Sequence, residues 1–510
     1  MVTLNKNILR GILILSFVAI NALIIFGISA LFTYLNTGAD RSKMLHTEIQ
    51  KIDQYLPTMD WAPMANEGRP MDKQTLGELE SNYLDAWYVK HVAYNTNLRE
   101  GIEDFYTESS RENIFNFIDL NKQQGITLEE TTLEHHPKLN FFSEDGQLIM
   151  LTDNNVKEYK RVYQNKKLVE ETIETATYKV LLLLEDGFWR VRHMVKTDAT
   201  PNHKYHNKQH TKTGTIHGIN YYPKNTPWDM FGENFEIDTI QQDFKLIHDA
   251  GLNTVRIFVP YEDFGKAKVK DEKLVKLKKV LDAAAKENIK VLITLFDFYG
   301  DYSVLDWTLN QRHAETIVKA CKDHSALLGW DLKNEPDLDF KSRGKSTVEA
   351  WLRTMLELVK TTDPNHPVTI GWAKPVSAPL LKDEVDFVSF HYYEDLNQFE
   401  NTYTQLKKEI PNKQLVVGEF GMSSYSGLWK PFGSSEEDQA NYHKNIQSTF
   451  EKYNISYISW TLYDFENIPK EVVGSLPWRK NVQKKFGFID KNGAKKASFD
   501  YISSSGTTEE

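Results

Sequence analysis

Two acidic residues in this chain stand where short apolar runs stop: Glu335, in WDLKNEP at 330 to 336, and Glu419, in VVGEFG at 416 to 421. Two carboxyl groups facing one cleft have a definite chemical use. If one is protonated and the other ionised, the first assists a leaving oxygen while the second attacks an anomeric carbon, and retaining glycosidases hold such a pair about 5 to 5.5 Å apart. Other residue types with chemistry end apolar runs in the same manner: Arg256 in NTVRI, Asp297 in LFDFYGD, His391 and Tyr393 in FHYY, and Trp460 in ISWTLYD. A fixed guanidinium beside a carboxylate favours its ionised form, which is the form a nucleophile needs. Taken singly, a glutamate is commonly a surface acid and a Tyr or Trp commonly a core aromatic. The order of the whole set along the chain is what carries weight.

The elements that must position these residues are legible from His217 onward, where strand-like runs alternate with helical patterns. The runs are GINYY near 218, NTVRIFV near 253, KVLITLF near 290, LLGWDLKN near 327, PVTIGW near 367, VDFVSFH near 385, QLVVGE near 414 and ISYISW near 455. Continuous apolar runs joined by crossover helices are the pattern of parallel strands buried on both faces. Eight of them predict an α/β fold closed as a (β/α)8 TIM barrel, whose active site lies at the C-terminal ends of its strands. A doubly wound open sheet is the alternative, but no glycine-rich phosphate turn follows the first run.

On these motifs, residues 214–503 resemble clan A glycoside hydrolases, most closely the cellulase- and mannanase-like glycoside hydrolase family 5. The resemblance implies that Glu335 is the general acid/base, that Asn334 binds the sugar 2-hydroxyl, and that Glu419 is the nucleophile of a retaining double displacement. It implies Arg256 beside the nucleophile, His391 and Tyr393 touching substrate hydroxyls and orienting it, and Trp460 as the floor under the reacting sugar, an aromatic face suited to the apolar face of a pyranose. The closing FGFIDKNGAKKASFDYI resembles the family's tail, a short hairpin and a final helix. One position departs: many members have a histidine after the third run, where this chain has Asp297, a candidate for sugar binding. Trp307, Trp330 and Trp372, near barrel loops, are further subsite candidates. No metal and no cofactor is expected.

The rest of the chain sets the context. Residues 11–35, GILILSFVAINALIIFGISALFTYL, are apolar, uncharged and long enough to cross a bilayer as a helix. Lys6 and Arg10 precede them, so 1–43 reads as a cytoplasmic tip and uncleaved signal anchor in the inner membrane, single-pass, with the catalytic domain outside the cytoplasm. A cleaved signal peptide, the rival, has an apolar region of only about 7 to 15 residues. In QTLGELESNYLDAWYVKHVAY, Leu76, Leu79, Tyr83, Trp87 and Tyr94 share a helical face, and a further segment around Ile102, Phe105 and Tyr106 follows. Alternating runs joined by Asp-Gly and Asn-rich turns come next, so helices precede an antiparallel sheet. That order resembles the nuclear transport factor 2-like, cone-shaped α+β fold over 72–197, with 198–213 as linker. His203, His206 and His210 read as solvated linker residues rather than metal ligands. Cys321, the single cysteine, excludes an intramolecular disulfide and reads as core filler. A formal net charge of -10 disfavours a nucleic-acid partner. The expected partner is a β-linked polysaccharide or oligosaccharide, as substrate of a tethered hydrolase, of a transglycosylase in envelope or exopolysaccharide metabolism, or as ligand of a non-hydrolytic glycan-binding scaffold.

Overall fold

The computed structural model describes residues 54–201, 213–427, 430–473 and 476–503, with a few positions between 15 and 28. The expected anchor at 11–35 lies largely outside the described residues, among which no helix is long and apolar enough to cross a membrane. The three linker histidines lie outside them as well.

The first part is an α+β unit. Two short strands, β1 (Thr58–Met59) and β2 (Glu67–Gly68), precede helices α1 (Lys73–Thr96), α2 (Ile102–Phe105) and α3 (Glu108–Gln124). Asp72 caps α1, accepting from the amides of Gln74 and Thr75. The helix buries Leu79, Tyr83 and Trp87 as its period predicts. Helix α3 was not foreseen: only Ile114, Ile118 and Asn121 are buried on it, too thin a stripe in a polar segment to stand out by period. Four long antiparallel strands follow, β3 (Ile126–Phe142), β4 (Leu148–Gln164), β5 (Lys167–Glu185) and β6 (Phe188–Pro201), in that spatial order, with β1 and β2 parallel to β3. Strand β6 thus continues to Pro201, into the segment read as linker.

The two-residue turns Asn165-Lys166 and Asp186-Gly187 have positive φ at both positions, as tight hairpins between twisted strands require. Asn154-Asn155 is different. Expected at a turn, the pair lies inside β4, where the register shifts between Asp153 and Val156 and Asn155 takes a φ of 51°. The chain bulges there instead of reversing, because pairing with β5 resumes on the far side.

The second part is a closed barrel of eight parallel strands: β7 (His217–Asn220), β8 (Thr254–Pro260), β9 (Lys290–Asp297), β10 (Leu327–Asn334), β11 (Val368–Trp372), β12 (Val388–Tyr392), β13 (Leu415–Phe420) and β14 (Ser456–Ser459), with β14 pairing back to β7. Each predicted run forms a strand. Crossover helices α4 (Ile237–Asp249), α5 (Asp271–Lys286), α6 (Trp307–Cys321), α7 (Lys345–Thr362), α8 (Leu396–Glu409) and α9 (Glu436–Tyr453) surround them. Cys321 is buried in α6. The tail forms an isolated bridge between Ile489 and Lys495 and then a 3-10 turn, Ala497–Tyr501, in place of the expected final helix.

The two parts share a core. Leu133 and Tyr159 of the α+β unit belong to the hydrophobic cluster of the barrel, with the Tyr159 ring 4.2 Å from that of Trp307. Polar contacts surround that seam: Lys157 pairs with Glu357 at 2.6 Å, Arg312 donates to Thr58 at 2.8 Å, and the Leu56 amide donates to Thr308 at 3.0 Å.

Candidate active site

At the C-terminal end of the barrel, Arg256 on β8 is fully buried and organises the floor. Its Nη1 donates to Glu419 Oε1 at 2.7 Å and to Asn220 Oδ1 at 3.0 Å; its Nε donates to Asp331 Oδ2 at 2.9 Å and its Nη2 to Asn334 Oδ1 at 2.8 Å. A guanidinium with this many fixed partners has one orientation. Asp331 is held in turn by Thr294, whose hydroxyl donates to the same Oδ2 at 2.8 Å. Space here is tight. A Cβ at Gly371 would lie 2.8 Å from Arg256 Nη2, so β11 approaches the guanidinium only because that residue is glycine.

Both oxygens of Glu419 are engaged, Oε1 by Arg256 and Oε2 by the Tyr393 hydroxyl at 3.1 Å. Glu335 projects from the end of β10 in the left-handed region, φ 50° and ψ 47°, with its amide donating to Gly371 at 2.7 Å. A non-glycine residue in that conformation is held there by its surroundings at a cost of about 1 to 3 kcal/mol. His391 links the two acids: Nδ1 is 2.9 Å from Glu335 Oε1 and 3.5 Å from Glu419 Oε2. Ligand atoms of Glu335, His391 and Glu419 all lie within 4.8 Å of one another.

Burial pushes the Glu419 carboxyl upward, outweighing the pull of His391 and Arg256. Burial would do the same to Glu335, but the His391 hydrogen bond and the charges of His391 and Arg256 prevail and hold it below the ordinary range. His391 is pushed down by burial, yet Glu419 and Glu335 outweigh that and raise it. Three such ligand atoms invite comparison with a metal site, but Arg256 already places a cation 2.7 Å from Glu419, and a dication in the same space would be repelled.

A cleft of about 620 Å³ opens above this floor, lined by Asn334, Glu335, Tyr393, Glu419, Trp460 and Asp297 among others. Trp460 forms part of an aromatic wall with Trp228, Tyr222 and Phe258, the ring centroids 6.0 to 6.4 Å from its own. Its indole nitrogen has no partner among the described residues. Asp297 lies apart from the two glutamates; burial pushes its carboxyl up to about 6 despite Lys333 and Arg256. Six of the eight site residues read from the sequence line this cleft, and the other two, Arg256 and His391, are buried against Glu419 at 2.7 and 3.5 Å. Trp307, Trp330 and Trp372 are a correction: all are buried in the core, Trp307 against Tyr159 and Trp330 donating to Asp363, and none lines the cleft.

Sequence reasoning passed over Asn220, Asp331, Thr294, Lys333 and Trp228. The first four are polar residues at inward positions of otherwise apolar strands, a signal that alternation within each run carries. Lys333 is buried in the cleft wall, and burial holds its ammonium below the ordinary value against the pull of Asp339 and Asp297. Trp228, with a φ of 59°, sits in the long loop after β7 and had no periodic signal.

A closed parallel barrel with two glutamates and an arginine at its strand ends defines a class of carbohydrate-active architecture, and comparisons narrow it. The model of the cellulase family, glycosyl hydrolase family 5, matches residues 208–466, and the chain belongs to that family. A beta-glucuronidase of Chlorocebus aethiops is 25% identical over 287 residues, covering 51% of this chain and 40% of that protein. Mannan endo-1,4-beta-mannosidase 5 of Solanum lycopersicum is 26% identical over 226 residues, covering 36% of this chain and 50% of that protein. The chain spans half or less of the length of these relatives. Among solved structures, an exo-beta-1,4-mannosidase from Opitutaceae bacterium strain TAV5 is similar at 19% identity with a TM-score of 0.47, covering 57% of this chain and 58% of that one.

Proposed function

We propose that this protein is a retaining glycoside hydrolase acting on a β-linked polysaccharide, with Glu419 as nucleophile and Glu335 as acid/base. The observation that carries the reading is the short separation of the two carboxyl groups, whose ligand atoms fall within 4.8 Å with His391 between them. Such a spacing leaves no room for a water between the second carboxylate and the anomeric carbon, as inversion requires at about 6.5 to 9.5 Å, and suits direct attack. Membership of a glycosyl hydrolase family and the glucuronidase and mannosidase relatives support the class of reaction.

In the first step a Glu419 oxygen bonds to the anomeric carbon while the glycosidic C–O bond breaks and the leaving oxygen takes a proton from Glu335. That transfer leaves Glu335 ionised, 2.9 Å from His391 Nδ1, and able to act as base in the next step. Arg256 and Tyr393 hydrogen-bond Glu419 and aim it at the anomeric carbon, and Asn334 binds the 2-hydroxyl. In the second step Glu335 takes a proton from water, the hydroxide oxygen bonds to the anomeric carbon, and the ester to Glu419 breaks. Trp460 supports the sugar from below, and Asp297 offers an acceptor or, below about pH 6, a donor to a sugar hydroxyl.

The polar N-terminal tip and apolar segment 11–35 support a single-pass anchor in the inner membrane, with the α+β unit, read as nuclear transport factor 2-like, and the barrel on the far side. The test of the chemistry is a panel of β-glucans, mannans and β-glucuronides with 2-deoxy-2-fluoro glycosides. The expected result is a covalent adduct on Glu419, product of retained configuration, and loss of about 10³-fold or more in turnover for both Glu335→Gln and Glu419→Gln. Inverted product or an adduct elsewhere overturns the assignment. Membrane fractionation tests the anchor: recovery of the full chain in the soluble fraction overturns it.

A further inference from the structure

A second cavity, about 320 Å³, lies where the α+β unit meets the rim of the barrel. Asn95 of α1 and Glu129 of β3 line one side; Asp301 and Tyr302, after β9, and Ser342 and Arg343, after β10, line the other. The same two barrel segments also line the catalytic cleft, through Gly300 and Asp339. The Tyr302 hydroxyl donates to Asp339 Oδ2 at 2.6 Å, so one hydrogen bond joins a wall residue of each cavity.

The wall between the units is firm. Arg161 of β4, fully buried, donates Nη1 to Thr347 Oγ1 at 3.0 Å and lies 3.9 Å from Glu129, and Thr347 and Glu129 both face the cavity. Glu129 is further held by the Tyr163 hydroxyl at 2.9 Å. Arg343 by contrast is exposed and has no ion-pair partner among the described residues. The lining therefore mixes fixed acceptors, the carboxylates of Glu129 and Asp301, with donors from Asn95 and Arg343 and the hydroxyls of Ser342 and Thr347. Val304 and Leu305 add an apolar portion, and the polar remainder does not carry the single sign of charge that an ion would select. Vicinal hydroxyls of a pyranose both donate and accept, and this wall answers both.

We propose that this cavity is a distal subsite for the same glycan chain that occupies the catalytic cleft, and that the α+β unit exists in part to complete it. The inference rests on the glycosidase reading for the identity of the ligand. In the full chain carrying Glu335→Gln to prevent turnover, β-1,4-linked manno- and cello-oligosaccharides of two and six units are titrated calorimetrically, alone and with Ser342→Trp, which fills the cavity, or Arg343→Ala. The expected result is that the hexaose of at least one series binds about tenfold tighter than the biose, and that both substitutions reduce this advantage to about threefold or less. Equal binding of hexaose and biose in the parent, no binding of either series, or an advantage that survives both substitutions overturns the proposal. A length advantage lost in both variants, in a wild-type protein that cleaves nothing, upholds the subsite and overturns hydrolysis.

Discussion

Asp297 occupies the position at which the chain departs from its family's common histidine, and its environment differs from that of the other site acids. Glu419 has Arg256 at 2.7 Å to answer its charge, whereas Asp297 has no ion pair among the described residues, and the Tyr222 hydroxyl at 3.4 Å, the Phe298 amide and the charges of Lys333 and Arg256 do not outweigh its burial. Its carboxyl is accordingly pushed up to about 6 by burial. A carboxyl raised in the folded state binds a proton that the unfolded chain has already released, so stability falls as pH rises from its ordinary range to about 6 and is constant above. The span corresponds to a loss on the order of 3 kcal/mol. Asp297→Asn removes that loss: the thermal midpoint at pH 8 is expected to rise relative to wild type and the difference to vanish near pH 4. A variant less stable than wild type at pH 8 would show that the ionised form is stabilised by contacts instead. Asp297 was visible as a strand-end acid, but its altered acidity was not, because that depends on what lies across the barrel.

At the scale of elements, β11 shows how a strand serves a site without contributing a reactive group. Its Gly371 lets the backbone pass within reach of Arg256 Nη2 and accept the Glu335 amide at 2.7 Å. A methyl group there meets a guanidinium nitrogen that Asp331 and Asn334 hold in place, so the arginine cannot simply swing aside. Gly371→Ala is expected to cost about 1 to 3 kcal/mol in urea unfolding and to lower turnover more than it raises KM, since it displaces Arg256 from Glu419. Wild-type kinetics in that variant would mean that the strand yields instead. The β strands of the barrel were legible because each is a continuous apolar run. Helix α3 and the bulge at Asn155 were not, for the thin apolar stripe of one and the asparagines of the other are also compatible with loop and turn; pairing with distant partners decided both.

At the scale of the molecule, the α+β unit and the barrel act as one folded body. Tyr159 has its hydroxyl bonded to Glu171 at 2.9 Å and its ring 4.2 Å from Trp307, inside the barrel's own cluster. Tyr159→Ala is expected to destabilise the described body by about 3 to 5 kcal/mol, with tryptophan fluorescence and circular dichroism reporting one shared urea transition in the wild type. A loss below about 1 kcal/mol would mean that the seam is a surface contact and not a core.

By itself the sequence determined the residue types at the strand ends, the eight runs that carry them, and the membership in a barrel class, because apolar period and local motif are properties of neighbouring residues. Only the tertiary structure decided that Asn220, Asp331 and Asn334 converge on one guanidinium, that His391 lies between two glutamates, that three tryptophans belong to the core, and that an α+β unit seals against the rim of the barrel. Those are contacts between residues far apart in the chain, fixed by barrel closure and strand register, and no local pattern encodes them.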